Sequence, residues 1–545
     1  MKINTKRILP AMLAFVAAAG TAFSAPPLKP EFPPIQKLNY AEQIIEKFYV
    51  DTVNSNDIVE AGIVAMLKKL DPHSTYTNPE ETRELTEPLQ GNFSGIGIQF
   101  NMLNDTLYVV QTVPGGPSEK VGLLAGDRIL SANDTIISGV KKKNTDIQKI
   151  LRGPKGSVVN VNVLRKGAKG PIEFRIVRDD IPIASVDASF MAAPGVGYIR
   201  VSRFGESTFD EVRKALAELA GKGMRDVIVD LEDNGGGYLK AAYDLAGLFL
   251  DAGDTVVFTK GVRVEPFYYR TVADGPMNRG RVVVMVNQFS ASASEILAGA
   301  MQDNDRGVVV GRRTFGKGLV QRPFPFPDGS MIRLTTQRYY TPSGRSIQKP
   351  YVAGEEDSYE HELIDRLQHG EYTNADSVHF ADSLRYETLR LRRPVYGGGG
   401  IMPDRFVAVD TTKYSDYYRD IVAKGLLNQS CVNYIDENRK ALRKKYRTED
   451  SFVEQFTVTP EMLDGLRALG EKEGVKFDQE QYDRSLPVIQ TIMKALIGRD
   501  LFTQSTYFRI ANVLNPVYGE AVRIITTPAE YDAVLSPQSS GAGNR

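Results

Sequence analysis

The sequence predicts a multidomain α/β protein, in which an α/β core carries an inserted β-rich domain and is flanked by helical regions. Its 545 residues are more than one hydrophobic core organises, so several domains are expected. From Ile181 onward, apolar strands alternate with amphipathic helices, a pattern typical of βαβ units. After about Thr411 the apolar residues recur at helical spacing.

The composition excludes several functional classes. Lysine plus arginine and aspartate plus glutamate both number 67, so the net charge is +0 and no long-range field favours nucleic acid. The single cysteine, Cys431, cannot form an intrachain disulfide. The four histidines lack metal-ligand spacing with each other or with the cysteine: His73, His361, His369 and His379. We therefore expect no nucleic-acid partner, no metal and no cofactor.

The N-terminus has the pattern of an export signal. Lys2, Lys6 and Arg7 precede a short apolar stretch at residues 8–19, and Ala22-Phe23-Ser24 forms a small-x-small cleavage site. The apolar stretch is shorter than the roughly 20 residues that span a bilayer. Residues 1–24 are therefore predicted to be a cleaved signal peptide for a periplasmic protein. A retained anchor, and with it membrane association, is the alternative.

Residues 25–84 are predicted to form an N-terminal helical region. A proline-rich linker opens it, and apolar residues then recur at helical spacing over 36–49 and 57–70. The segment Leu70-Asp71-Pro72-His73-Ser74 ends the second helix, because a residue before proline avoids the helical conformation. We interpret His73 as a turn or interdomain contact rather than a catalytic base.

Residues 85–180 are predicted to form the inserted β-rich domain. A glycine-containing loop, Gly95-Ile96-Gly97-Ile98, runs into a strand, and a series of short strands and helices follows. This order of elements, with a Leu-x-x-Gly-Asp-x-Ile segment, resembles a PDZ domain. The resemblance implies that backbone N–H groups of the loop hold a peptide carboxylate while the next strand pairs with the peptide. A PDZ fold that binds nothing is the alternative.

Residues 181–412 are predicted to be the core, with a polar surface insertion at about 353–391. The apolar strand Val282–Val286 leads into a small-residue turn with three serines, Ser290, Ser292 and Ser294. Lys317 follows the next strand, between two glycines. Serine needs a base within hydrogen-bond reach, and no histidine lies near this segment. A buried lysine with a lowered pKa is therefore the candidate base, and all three serines remain eligible on these grounds.

A series of long motifs resembles the carboxyl-terminal processing peptidases, which are PDZ-containing Ser/Lys endopeptidases of the tail-specific type in peptidase family S41. The resemblance covers roughly residues 35–410 and implies a ClpP/crotonase-like βαβ peptidase core. Besides the PDZ segment, the matching stretches are residues 70–74, 230–237, 290–296, 314–321, 339–347 and 400–404.

The resemblance implies which residues carry the chemistry. In the family the nucleophile is the middle serine of Ser-Ala-Ser-Ala-Ser-Glu and the base lies 25 positions later. This selects Ser292 and Lys317, because 317 − 292 = 25. In the family a glutamine four positions after the lysine positions it, and here that residue is Gln321.

The resemblance also implies residues that support the reaction. The oxyanion hole is expected to use the backbone N–H groups of Ala293 and Gly236, with Gly237 as the alternative to Gly236. Arg152 matches a PDZ arginine that contacts the core in the family, with a solvent-exposed helix-end arginine as the alternative. The glycine loop departs from the common family form, with Glu232 where arginine is frequent and Gly235 where proline is frequent. These two changes put the rigidity and local charge of the loop in doubt.

The expected function is that of an exported serine endopeptidase. It would bind apolar, unstructured C-terminal tails of protein substrates through the PDZ domain and cleave them through an acyl-enzyme on Ser292. One alternative is a catalytically silent PDZ scaffold or adaptor in the cell envelope, and another is a crotonase-like acyl-transfer enzyme. The intact set of Ser292, Lys317 and Gln321 argues against the first, and the PDZ domain and export signal argue against the second. The helical region 413–545 suggests a homodimer, and an adaptor protein that delivers the substrate is left open.

Overall fold

The computed structural model describes residues 32–536, so the predicted signal peptide and most of the linker lie outside the described residues. The described residues divide into one unit that ends at Met66 and a second that begins at Leu67. The α-helices are α1 (Pro34–Phe48), α2 (Ser55–Leu67), α3 (Pro79–Gln90), α4 (Pro117–Lys120), α5 (Asn144–Leu151), α6 (Thr208–Gly221), α7 (Leu239–Ala246), α8 (Ala293–Asp303), α9 (Glu356–Gln368), α10 (Asp416–Ala423), α11 (Leu426–Lys445), α12 (Glu449–Gln455), α13 (Pro460–Lys472), α14 (Gln479–Leu501), α15 (Gln504–Ala511), α16 (Pro516–Thr526) and α17 (Pro528–Leu535).

The strands alternate with these helices through the middle of the chain. They are β1 (Thr75–Thr77), β2 (Asn92–Gly95), β3 (Ile98–Leu103), β4 (Thr106–Thr112), β5 (Arg128–Ala132), β6 (Thr135–Ile136), β7 (Val158–Leu164), β8 (Ile172–Val177), β9 (Asp179–Pro182), β10 (Val186–Ala193), β11 (Val196–Val201), β12 (Asp226–Asp230), β13 (Thr255–Gly261), β14 (Val264–Arg270), β15 (Val282–Val286), β16 (Val308–Gly311), β17 (Leu319–Pro325), β18 (Met331–Tyr340), β19 (Arg385–Glu387), β20 (Pro394–Tyr396) and β21 (Arg405–Phe406).

A six-stranded sheet forms the centre of the α/β core, in the order β10-β11-β12-β15-β16-β21. Five of these strands pair in parallel: β11, β12, β15, β16 and β21. Strand β10 adds an antiparallel edge. Parallel sheets are usually covered on both faces, and β12 and β15 are buried at every position. Helices α6, α7 and α8 cover one face, and α16 and α17 cover the other.

A second sheet lies beside the candidate site. Its strands run in the order β1-β18-β13-β14, and β17 also pairs with β18. Along the β17–β18 pair, Gln321 lies opposite Thr335 and Pro323 lies opposite Arg333. Strand β1 pairs with the start of β18, which places Thr75 opposite Arg333. The turn before β1 is therefore brought next to β17 and β18.

The inserted β-rich segment has a sheet of its own, in the order β3-β4-β5-β7-β8, with β6 paired to β5. Its entry and exit strands, β2 and β9, pair antiparallel with each other, so the connections from the segment to the rest of the fold lie side by side. Among the described strands β3 pairs with β4 alone, which leaves its second edge open. The domain boundary predicted between residues 84 and 85 falls inside α3, which continues to Gln90.

The C-terminal helices belong to two different hydrophobic clusters. Helices α10 to α15 share a core of their own, whereas α16 and α17 pack on the central sheet. Helix α11 also contacts the β-rich segment, where Arg128 pairs with Asp436 at 2.8 Å and Val432 packs on Tyr108. Among residues 32–536, no helix combines the length and apolar character needed to cross a membrane.

Candidate active site

Three loops converge at one edge of the central sheet, because adjacent parallel strands end there. The glycine loop follows β12, the serine turn follows β15, and the segment with Lys317 follows β16. In open α/β sheets this carboxyl edge is where ligands usually bind. The sequence-predicted nucleophile, base and oxyanion loop are therefore brought together by the strand order.

The three serines of the turn differ in their surroundings. Ser290 and Ser294 are fully buried, and each hydroxyl donates at 2.8 Å to a carbonyl of the glycine loop, that of Leu231 and that of Asn234 respectively. Ser292 is only partly buried, and its hydroxyl donates to no carbonyl group of the glycine loop. The outer two serines thus fasten the turn to the glycine loop, while the middle one faces an accessible space.

The backbone at Ser292 is in an unusual conformation. Its φ is 56° and its ψ is −111°, a region that residues with a side chain rarely adopt. Such a conformation costs about 1–3 kcal/mol and persists only where the surroundings impose it. Ser292 directly precedes α8, so the sharp strand-to-helix turn presents its side chain at the helix N-terminus.

Glu295 is the residue that imposes this geometry. Its carboxylate is fully buried and accepts four hydrogen bonds: from the N–H groups of Ser292 (2.8 Å), Gly316 (2.7 Å) and Lys317 (2.9 Å), and from the hydroxyl of Thr314 (2.5 Å). Burial raises the pKa of Glu295 to about 7, while these four donors favour the ionised form. One carboxylate thus joins the backbone of the candidate nucleophile to that of the candidate base.

Tyr339 makes a second connection between the same two residues. Its buried hydroxyl lies 3.0 Å from the carbonyl oxygen of Ser292 and also contacts the carbonyl oxygen of Lys317. No role for Glu295 or Tyr339 is predicted from the sequence. The pattern Ser-x-x-Glu at a helix start is the capping-box signature, and it could have identified Glu295.

Lys317 has the properties of a base at near-neutral pH. Burial, together with a smaller contribution from the nearby Arg333 guanidinium, lowers the pKa of its amine to about 8. The amine donates to Oε1 of Gln321 at 2.9 Å, as the family resemblance implies for a positioning glutamine. No hydrogen bond joins the Ser292 hydroxyl to this amine in the described part of the chain. Catalytic hydrogen bonds are often long before the substrate binds.

The turn before β1 supports Gln321 from the other side. The carbonyl oxygen of His73 accepts a hydrogen bond from the Gln321 amide. Asp71 holds this turn, accepting from the N–H groups of His73 and Ser74 at 2.9 and 3.0 Å. Burial lowers the pKa of the His73 imidazole to about 3, and Lys317 contributes to this shift. His73 therefore acts through its backbone and is a neutral contact, consistent with its interpretation as a turn residue.

The insertion predicted at about 353–391 is more than a surface feature. Its helix α9 packs on the segment that carries Lys317, and Arg366 is only 2% exposed. The Arg366 guanidinium donates to the carbonyl oxygens of Thr314 and Phe315 at 2.8 and 3.0 Å. Tyr359 of the same helix lies 2.8 Å from Nε2 of His73. The polar composition concealed this role, because the buried cation is satisfied by carbonyl groups that the sequence does not reveal.

The glycine loop and the start of α8 offer backbone donors for an oxyanion. The N–H groups of Ala293 and Gly237 make no hydrogen bond within the described residues, whereas that of Gly236 donates to Oδ1 of Asn234 at 2.8 Å. Gly236 lies against the nucleophile turn, and a Cβ added there would lie 2.8 Å from Cβ of Ser292. In this conformation the second free donor is therefore the N–H of Gly237, the predicted alternative to Gly236.

The two departures in the glycine loop have different surroundings. Glu232 is buried and accepts a hydrogen bond at 2.5 Å from Asn515, just before α16, and it lies 3.7 Å from Arg312. Burial raises the pKa of Glu232 to about 8, and the neighbouring Asp230 contributes. Gly235 has open space on its side-chain face and needs no glycine for steric reasons. The C-terminal helical region thus supplies a partner for the unusual glutamate.

The predicted peptide-binding groove lies in the β-rich segment. A cavity of about 90 Å³ is lined by the loop residues Ile96, Gly97 and Ile98 and by residues of α5. Gly95 ends β2 and precedes this loop. Arg152, at the end of α5, donates to Glu87 of α3 at 2.9 Å and lies over the ring of Phe93. Arg152 therefore contacts the helix that precedes the domain, rather than the central sheet.

The described residues contain no group of three or more histidine, cysteine, aspartate or glutamate side chains arranged to hold a metal ion. The chemistry available at this site is that of a serine hydroxyl, a lysine amine and backbone donors. These are groups that nucleophilic catalysis uses: a potential nucleophile, a potential base and donors for a developing negative charge.

Comparison with known proteins identifies the family. Residues 195–357 match the model of peptidase family S41, and residues 94–187 match a PDZ domain model. The carboxy-terminal-processing protease of Bartonella bacilliformis is 35% identical over 305 residues, which are 55% of this chain and 69% of that protein. The chain belongs to the carboxy-terminal-processing proteases of family S41. The predicted family and the predicted fold class, an α/β peptidase core with an inserted PDZ domain and helical flanks, are confirmed.

Other relatives in this family agree over a similar region. The carboxyl-terminal-processing protease of Synechocystis sp. is 37% identical over 314 residues, covering 56% of this chain and 72% of that protein. For the processing protease CtpB of Bacillus subtilis the identity is 35% over 322 residues, with 58% and 66% coverage. Residues 417–503 of this S41 protease match instead a family of unknown function, DUF8443.

Solved structures of related proteins cover parts of the chain. The photosystem II D1 C-terminal processing protease is 29% identical, with a TM-score of 0.33 over 57% of this chain and 83% of that one. The PDZ domain of a carboxy-terminal protease from Vibrio cholerae, solved in complex with a peptide, is 30% identical with a TM-score of 0.16. It covers 17% of this chain and 99% of that one.

Proposed function

We propose that this S41 protease is an exported serine endopeptidase that uses Ser292 as nucleophile and Lys317 as base. The observation that carries the proposal is the shared anchor of these two residues. The Glu295 carboxylate and the Tyr339 hydroxyl both contact the backbone of Ser292 and of Lys317. Two distant segments are thus fixed around a half-buried hydroxyl and an amine whose pKa is about 8.

The proposed reaction proceeds in two steps. The Ser292 oxygen attacks the scissile carbonyl carbon while the neutral Lys317 amine takes the hydroxyl proton. The oxyanion is stabilised by the N–H of Ala293 and by that of Gly237, or of Gly236 after it leaves Asn234. The lysine then gives its proton to the leaving amine, and the C–N bond breaks to leave an ester on Ser292. Water, deprotonated by the same lysine, then attacks the ester carbon, and the C–O bond to Ser292 breaks as the lysine returns the proton to the serine oxygen.

The PDZ domain is proposed to select the substrate. The open edge of β3 can accept a peptide strand, and the loop Gly95–Ile98 can receive its terminal carboxylate. Ile96, Ile98 and Phe100 line the groove, which favours an apolar C-terminal side chain. The proposed substrates are therefore proteins with apolar, unstructured C-terminal tails. The export pattern of residues 1–24 supports a periplasmic location.

The test uses an unfolded reporter protein with an apolar C-terminal tail. The chain should cleave it, Ser292→Ala and Lys317→Ala should each be inactive, and an amidated or deleted tail should raise KM. Both variants should keep the circular dichroism spectrum of the parent. A folded, wild-type chain that binds the tail without cleaving it would instead support a silent PDZ scaffold. Detection of the protein in the cytoplasmic fraction alone would contradict export.

A further inference from the structure

A groove beside the candidate active site contains polar atoms without partners. It has a volume of about 430 Å³ and lies between β1, α3 and β18, with Thr75, Glu81, Glu84 and Arg333 among its lining residues. Nε of Arg333 and the hydroxyl oxygen of Thr75 are both buried, and neither has a hydrogen-bond partner among the described residues. These two residues lie directly opposite each other in the β1–β18 pair. Buried polar atoms are nearly always satisfied by protein, water or a ligand, so these two orphans mark a place where an added polar group can bind.

Arg333 is half-buried and differs from the buried arginines of the core in its partners. Arg345 pairs with Asp303 at 2.7 Å, Arg366 with Glu362 at 2.5 Å, and Arg393 with Asp305 at 2.8 Å. The guanidinium of Arg333 has neither an ion pair nor a hydrogen bond within residues 32–536, and burial lowers its pKa. Holding a half-buried cation without a counter-charge is costly. A negatively charged ligand would remove this cost.

The position of Arg333 relates the groove to the reaction. Arg333 is two residues before Thr335 on β18, so both side chains lie on the same face of the strand, about 7 Å apart along it. Thr335 lies opposite Gln321, which accepts a hydrogen bond from Lys317, and the Thr335 hydroxyl donates to Asp71 at 3.1 Å. A peptide chain held at Ser292 and extended past Lys317 would therefore meet Arg333 within a few residues.

We propose that Arg333, together with the Thr75 hydroxyl, binds a carboxylate group of the peptide substrate and forms a specificity subsite next to the scissile bond. This inference rests on the proposed peptidase function. The planar guanidinium and one hydroxyl supply the convergent donors that a carboxylate requires. The opposite wall carries Glu84 and Glu81, and Glu81 already accepts the N–H of Asn78 at 3.0 Å. That wall repels additional carboxylates, so the groove favours one acidic group at the Arg333 end.

The carboxylate has two sources in a peptide, an acidic side chain or the free C-terminus. The experiment uses quenched fluorescent peptides with an apolar tail, in which a single glutamate or glutamine occupies each position around the cut in turn. A parallel pair carries a free or an amidated C-terminus at increasing distance from the cut. The measured quantity is the ratio of kcat/KM for the charged peptide to that for its neutral twin. Within one variant, this ratio is independent of changes in the Lys317 pKa.

The wild type should prefer glutamate at one position, or the free terminus at one distance, by about tenfold. Arg333→Gln should abolish this preference, Arg333→Lys should retain part of it, and Thr75→Val should weaken it. Arg338→Gln removes an exposed arginine from the opposite face of β18 and should leave the preference unchanged. A ratio near one in the wild type, or the same ratio in Arg333→Gln, would overturn the subsite. Cleavage that is independent of Ser292 would instead contradict the peptidase proposal.

Discussion

The proposed catalytic centre and the PDZ groove use their backbone hydrogen bonds in opposite ways. In the centre, the N–H groups of Ser292, Gly316 and Lys317 all donate to the carboxylate of Glu295. In the PDZ groove, one whole edge of β3 has no strand beside it among the described residues. The first region is fixed before substrate arrives, as rate enhancement by preorganised groups requires. The second is completed only by a peptide, so its changes should appear in KM and those of the centre in kcat.

Loss of Ser292, the proposed nucleophile, should have the greatest consequence for the proposed catalytic centre. Ser292→Ala should lower kcat by about 10³-fold or more, because the covalent step is removed. Ser290→Ala and Ser294→Ala each remove a buried hydrogen bond to the glycine loop and should instead lower the free energy of unfolding by about 1–3 kcal/mol. Kinetics with the reporter and urea unfolding measure the two effects. An inactive, fully stable Ser294→Ala variant would reverse the assignment.

A second test of the centre changes the packing of the glycine loop. In Gly236→Ala the new Cβ would lie 2.7 Å from the carbonyl oxygen of Ala291 and 2.8 Å from Cβ of Ser292. The φ of Gly236 is also +101°, which disfavours alanine. The loop should shift and carry the N–H of Gly237 away from the oxyanion, so we expect kcat to fall by about 100-fold, the scale of losing one donor. Gly235→Ala is the matched control, since open space surrounds that position. Equal activity of the two variants would refute the need for close packing of Gly236 on the Ser292 turn.

Glu295→Gln tests the shared anchor with a nearly isosteric change. An amide has one carbonyl oxygen in place of two carboxylate oxygens, so it cannot accept all four hydrogen bonds that Glu295 receives. The turn at Ser292 and the segment with Lys317 should lose their fixed separation. We expect kcat to fall by about ten- to 100-fold with KM little changed, together with a lower Tm. A change confined to Tm would mean that Glu295 is needed for folding alone.

The smallest expected effect belongs to the PDZ groove. In Gly97→Ala the φ of +73° is unfavourable, and the new Cβ would lie 2.9 Å from Cδ1 of Ile181. The loop should shift, and KM for the tail-bearing reporter should rise about three- to tenfold. The value of kcat, and the cleavage of a short peptide without a tail, should remain as in the wild type. A fall in kcat equal to the rise in KM would show that the two regions are not separable in this way.

The sequence was sufficient for the parts of the fold and site that local patterns encode. Apolar strands, glycine turns and ordered motifs predicted the parallel core and the PDZ segment, as the family comparison confirms. The helical region 413–545 was predicted, but α16 and α17 were not predicted as individual helices, although Asn515-Pro516 and Thr527-Pro528 have the N-cap and first-turn pattern of helix starts. The β13–β14 hairpin was also not predicted, because the aromatic residues of β14 are largely exposed and show no buried face.

The remaining parts of the site depend on contacts between distant segments. Gln321 is supported by His73, which is 248 positions earlier in the chain. Arg366 contacts the Lys317 segment from a region whose composition indicates only a polar surface. Asn515 contacts the glycine loop from a region whose composition indicates only a helical bundle. Spacing along a sequence carries no information on such pairs, since the topology of the sheets decides which loops meet. The assignment of Ser292, Lys317 and Gln321 stays a prediction that the geometry supports.

The most direct test of the account is the pH dependence of kcat/KM for the reporter. If the neutral Lys317 amine is the base, kcat/KM should rise with pH around a midpoint of about 8. Arg333→Gln should move this midpoint to higher pH, because the guanidinium lowers the lysine pKa. His73→Gln should leave the midpoint in place. A midpoint near 6.5, the ordinary value for histidine, that is lost in His73→Gln would contradict the lysine base.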